Sequence, residues 1–124
     1  MKYIVFMLVL ISLLAGCSRT RSIEFCEGIS PEGKGVNCGG EFIEGELLAI
    51  ISSKEPFGVN SITVQVQEVK GGKKQQVETI TVDVKPDGQT ATANLSLYSG
   101  GTYLVRASKK DEMIGEGEIV IREQ

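Results

Sequence analysis

The chain has no histidine and no tryptophan, and only 3 cysteines and 3 prolines in 124 residues. Without histidine there is no Ser-His-Asp or Cys-His nucleophile pair, and no zinc or haem site that needs an imidazole. Basic residues are not in excess, with 13 Lys and Arg against 16 Asp and Glu, so the electrostatic footprint expected of a nucleic-acid binder is missing. The residue pattern implies no cofactor and no metal. The length suits one small domain.

What is present begins with the amino terminus. Met1 and Lys2 precede an apolar run from Tyr3 to Leu14, which closes on the small residues Ala15 and Gly16 before Cys17. A charged start, a short apolar core and a small-residue exit are the layout of a secretory signal peptide. As a helix the run reaches about 20 Å, short of the roughly 30 Å hydrocarbon core of a bilayer. Leu14-Ala15-Gly16-Cys17 resembles the lipobox of bacterial lipoproteins at every position. The resemblance implies that residues 1–16 form a cleaved signal-peptide helix and that Cys17 is the lipid attachment site and first mature residue. It also implies a partner, the membrane, reached through two or three acyl chains, enough for a stable anchor. Ser18 rather than aspartate follows the cysteine, which by the same resemblance favours the outer membrane where a cell has two. Residues 17–22 form a lipidated tether whose five residues after Cys17, including Arg19 and Arg21, extend to roughly 17 Å.

With Cys17 used by lipid, Cys26 and Cys38 remain as an even pair in an exported chain, where disulfides form and persist. The segment they bracket is glycine-rich and shows no hydrophobic period, so residues 23–40 read as a disulfide-stapled loop. A redox pair would favour Cys-x-x-Cys spacing, and a metal site would need further ligands.

From Glu41 onward the apolar residues recur every second position, the period of half-buried strands. Ile62, Val64 and Val66 form one such set, Ile80, Val82 and Val84 a second, Ala91 to Leu97 a third, and Tyr103, Val105 and Ala107 a fourth. Glu41–Ser52 and Met113–Arg122 add two more, and Ile23–Glu27 offers a seventh. The hairpin signals between them are Lys70 to Lys73, Pro86-Asp87-Gly88, Ser99-Gly100-Gly101 and Lys109 to Glu112. Six short strands over residues 41–124, or seven with Ile23–Glu27, predict an all-β chain, an antiparallel β-sandwich over 41–124, with a small β-barrel as the alternative. Gly101-Thr102-Tyr103-Leu104-Val105 resembles the Gly-x-Tyr-x-Val strand of immunoglobulin-like and fibronectin-like domains, in which the tyrosine hydroxyl bonds back to the backbone at a corner. The chain lacks that family's inter-sheet cysteine pair and core tryptophan, Val105 standing where the second cysteine would be.

Candidates for chemistry are few. Glu116 and Glu118 sit two apart on one face of the last strand, and read first as a solvated face and second as a carboxylate pair. Ser52, Ser53 and Lys54 place their side chains on alternating faces, which does not suit a Ser-Lys nucleophile. Asn94-Leu95-Ser96 fits a glycosylation sequon, Lys73-Lys74 and Lys109-Lys110 mark turn tips, and Glu41, Glu44 and Glu46 lack a calcium-loop pattern. The expected protein is a non-enzymatic, membrane-anchored exported lipoprotein of the bacterial cell envelope. Its sandwich is a structural or protein-binding module for an envelope or extracellular protein, and the Cys26–Cys38 loop is the preferred contact. A small lipid- or ligand-carrying factor is the alternative, and a hydrolase using carboxylates alone the third.

Overall fold

The computed structural model of the chain describes residues 22–110 and 112–124; the expected signal peptide, Cys17 and most of the tether lie outside them. The described residues form nine strands: β1 (Ile23–Ile29), β2 (Gly35–Gly39), β3 (Glu41–Ile43), β4 (Gly45–Ser52), β5 (Ser61–Lys70), β6 (Lys73–Asp83), β7 (Thr90–Leu97), β8 (Gly101–Lys109) and β9 (Glu112–Arg122). A four-stranded sheet runs β2-β1-β4-β7 and a five-stranded sheet runs β3-β9-β8-β5-β6. They pack face to face as an immunoglobulin-like β-sandwich, not a closed barrel.

Alternation decides which side chains meet between the sheets. In β7, Ala91, Ala93, Leu95 and Leu97 are buried while Thr90, Thr92, Asn94 and Ser96 are exposed. Ile62, Val64 and Val66 of β5 and Tyr103, Val105 and Ala107 of β8 supply the facing layer. β4 reads Leu47-Leu48-Ala49-Ile50-Ile51 without alternation because both of its faces are covered. Leu47, Ala49 and Ile51 enter the core, whereas Ile50 is buried on the opposite face, where it approaches Gly35 of the β1–β2 hairpin.

Three expectations change. The single strand over Glu41–Ser52 is two strands, because the chain crosses from one sheet to the other at Gly45, whose φ of +144° favours glycine. β3 therefore pairs with β9, and does so in parallel, which makes the five-stranded sheet mixed, not purely antiparallel. The crossing is held by Glu44 N donating to Arg122 O at 2.8 Å and Val120 N to Gly40 O at 2.9 Å. Pro86-Asp87-Gly88 and Ser99-Gly100-Gly101 are links between sheets, not hairpins, since β6 and β8 lie in one sheet and β7 in the other. The Gly71-Gly72 turn is a two-residue hairpin as expected, with φ of +59° and +80°.

The third change concerns residues 23–40. They are a β-hairpin built into the sandwich, not a separate loop: β1 is an inner strand of the four-stranded sheet, pairing with β2 on one side and β4 on the other. Its period was hidden because β1 alternates only over Ile23, Glu24 and Phe25, and β2 is exposed almost throughout.

The tyrosine corner is formed. Tyr103, 4% exposed, donates its hydroxyl to Ser99 O at 2.8 Å. Burial, then the carboxylates of Glu68 and Glu123, raise its pKa above the ordinary 10.0. A raised folded-state value means that the stability contributed by the neutral phenol is complete below about pH 10 and is lost as pH climbs through the folded-state value. Tyr103→Phe is expected to cost about 1 kcal/mol at neutral pH. Denaturant titrations at neutral and alkaline pH should show that cost shrinking as alkali ionises the wild-type phenol. An equal deficit at both pH values would contradict this role.

Candidate functional site

The described residues begin at Ser22, at one end of the sandwich. There β1 starts, β4 ends at Ser52, and the β4–β5, β6–β7 and β8–β9 connections gather. Phe57, fully buried, closes this end of the core, with its N–H donated to Gly88 O at 2.9 Å and its carbonyl accepting from Lys109 Nζ at 2.8 Å. Nothing in the pattern around Glu55-Pro56-Phe57-Gly58 distinguished a core plug from a turn. A surface depression of about 380 Å³ on this end is lined by Ser22, Ser52, Ser53, Lys54, Glu55, Lys109 and Glu112, among others. Ser53 Oγ donates to Glu55 O at 2.6 Å and Ser52 N donates to Ser22 O at 2.7 Å, so the Ser52-Ser53-Lys54 group closes a turn.

The other end carries the tip of the β1–β2 hairpin. Cys26 and Cys38 are joined as a disulfide and face each other in register. Cys26 is fully buried and Cys38 is exposed. A Cβ on Gly35 would fall on both sulfurs and lie 3.2 Å from Ile50 Cδ1, so the bridge is roofed by backbone that only glycine supplies. Asn37 takes the left-handed conformation at φ +54° and donates Nδ2 to Glu27 Oε1 at 3.0 Å. Glu24 approaches both cysteines closely enough to suggest three metal ligands, but the sulfurs are bonded to each other and one carboxylate remains. The tip is a tight turn, with Ser30 O accepting from Gly33 N at 2.8 Å and Ser30 N donating to Lys34 O at 2.7 Å. Beside the hairpin, Glu27, Glu44 and Glu46 edge a shallow depression of about 250 Å³ with Phe42 and Ile43.

The remaining candidates disperse. Glu116 and Glu118 are exposed on the outer face of the five-stranded sheet, and Arg106 Nε lies 3.2 Å from Glu116 Oε2. That pair is half-exposed and adds little stability. Glu41 is engaged by Arg122 at 2.9 Å, whereas Glu44 and Glu46 line the depression beside the hairpin. Asn94 is exposed in mid-strand on β7. Lys73 and Lys74 open β6, and Lys109 ends β8 at the opposite end of the sandwich. Among the described residues the structure thus joins Cys26 to Cys38 and brings no catalytic constellation together from the other predicted residues. No protein-family model and no curated protein matches the chain.

Proposed function

We propose that the protein is a membrane-anchored exported lipoprotein, non-enzymatic, whose β-sandwich is a protein-binding module of the bacterial cell envelope. The observation that carries this reading is Leu14-Ala15-Gly16-Cys17 after an apolar run, followed six residues later by the first strand of a disulfide-stapled domain. The disulfide supports export, because such bonds persist in oxidising compartments. The place of Ser22 supports a close tether, since a leash of roughly 17 Å holds that end of the sandwich near the lipid. By analogy with two-membrane cells, Ser18 favours the outer membrane as the site of the anchor there.

The stapled hairpin tip, at the end opposite Ser22, is the contact surface this reading favours. Its backbone is fixed by the Cys26–Cys38 bond, so binding through it would cost little ordering entropy. Side chains of both sheets fill the space between them, which favours surface recognition over carriage of an enclosed ligand. Cys17→Ser is expected to abolish incorporation of labelled palmitate and to leave the chain at precursor length. Labelling that persists in the variant would refute the assignment.

A further inference from the structure

The two sheets have four edge strands, and three of them carry features that block pairing with another chain. β2 has five residues, a left-handed Asn37 and a covalent tie at Cys38. β3 has three residues. β6 opens with Lys73 and Lys74, carries Glu78 and Asp83, and is broken by a register shift opposite Val66 and Gln67. β7 has none of these. Its eight residues pair with β4 without a shift, and among the described residues its other edge is unpaired. From Gly88 to Val105 the chain contains no charged residue, although charged residues make up 23% of the whole.

That neutrality selects the occupant. A strand of a different protein can be recognised through opposite charge, so its docking edge has no need to be neutral. When an edge pairs with its own copy about a two-fold axis, charges near the centre meet like charges. Beside the Leu97 end of the same edge, Val77 and Tyr98 are 46% and 61% exposed and line a depression with Leu97 and Tyr103 but also with the carboxylates of Glu68 and Glu78, a mixed rim whose apolar part a neighbouring copy would cover. We propose that the free edge of β7 is a self-association surface on which a second copy pairs antiparallel, β7 to β7.

The geometry restricts the register. Directly paired residues share a face of the sheet, so the two-fold axis passes beside Ala93 or Asn94, not between them. The axis is perpendicular to the sheet, so the two Ser22 ends lie at opposite ends of the joined sheet, and both tethers reach the lipid when the paired sandwiches lie with that sheet parallel to the membrane. One strand pair is small beside a standard interface of about 1,600 Å², so the dimer is weak in dilute solution and is best read in the membrane, a choice that rests on the lipid-anchor reading.

The test uses the full-length chain in intact membranes, with single substitutions at exposed positions: Asn94→Cys, Ser96→Cys and, on β6, Gln75→Cys. Mild oxidation followed by non-reducing electrophoresis should give a dimer several-fold more abundant for Asn94→Cys than for Ser96→Cys, and none above background for Gln75→Cys. Adding Thr92→Lys and Ser96→Lys to the Asn94→Cys chain should abolish the dimer by placing like charges near the axis. Absence of the Asn94→Cys dimer in protease-resistant protein, equal crosslinking at Gln75→Cys, or an adduct with a different protein would each overturn the proposal. A dimer in the unsubstituted chain that Cys17→Ser removes would point to a free Cys17 thiol. That result would count against the lipid anchor and leave the β7 comparison intact.

Discussion

Phe25→Ala is expected to lower the unfolding free energy by about 3–5 kcal/mol, a large part of the roughly 5–15 kcal/mol that holds a domain together. Phe25 is 3% exposed on the inner face of β1, and its ring lies on the backbone of β9. A Cβ added to Gly117 would sit 3.0 Å from Phe25 Cε2 and 3.5 Å from Ile23 Cβ. The two sheets approach closely at this point because one of them presents no side chain. Truncating the ring leaves a cavity over a strand that cannot fill it. The reciprocal change, Gly117→Ala, should cost about 1–3 kcal/mol by overpacking. In the Phe25→Ala background the added methyl should fill space instead, so the double variant should be more stable than the sum of the two single effects implies. Urea titration of the four proteins measures that coupling, and additive losses would show that the two residues do not meet in the core.

Removal of the disulfide should have the next largest effect. Cys26 and Cys38 are separated by 12 residues, and in the chain-entropy description a bridge of that span contributes about 3 kcal/mol by restricting the unfolded chain. The double variant Cys26→Ala, Cys38→Ala is therefore expected to melt roughly 12–24 °C lower, given about 4–8 °C per kcal/mol for a domain of this size. Because β1 is an inner strand, the loss should not stay confined to the hairpin. It should appear as earlier unfolding of the whole sandwich, reported equally by β-sheet circular dichroism and by tyrosine fluorescence. A reductant should shift the wild type in the same direction and leave the double variant unmoved. A change of only a few degrees, or separate transitions for the two probes, would contradict the integration of the hairpin with the core.

The strands whose apolar residues alternate were the legible part of the fold. β5 and β7 each bury one face only, so period two survives in the sequence; β8 keeps it at Tyr103, Val105 and Ala107 although Leu104 on its other face is buried too, and Gly101-Thr102-Tyr103 marked the tyrosine corner. Legibility failed where a second influence acted on the chain. Glu41–Ser52 appears continuous because no turn-forming Pro, Asn or Asp interrupts it, and the switch between sheets depends on the single left-handed position at Gly45. Residues 23–40 looked like a loop because the disulfide and its glycine roof occupy the outer face where apolar side chains would otherwise stand. Gly115 and Gly117 read as flanks of an exposed carboxylate pair. Glu116 and Glu118 do face solvent, but the glycines face inward, where Cβ atoms would collide with Ser22 and crowd Phe25. Only the facing sheet reveals that requirement.

The candidate site was legible in its chemistry more than in its placement. Cysteine parity anticipated the Cys26–Cys38 bond, which depends on the pair being opposite each other across two strands. Placement of Ser22 at one end and the hairpin tip at the other follows from strand direction, which no local pattern encodes. The unguarded edge of β7 is similar, since its meaning comes from comparison with the other three edges.

The most direct test is the mass of the mature protein extracted from cell membranes. Cleavage before Cys17 and acylation predict a chain whose amino-terminal residue is Cys17. Its mass should exceed that of the polypeptide by a diacylglyceryl group, with or without one further acyl chain, and the excess should map to the amino-terminal peptide. An unmodified cysteine at position 17, or an amino terminus elsewhere, would contradict the anchor on which the proposed function stands.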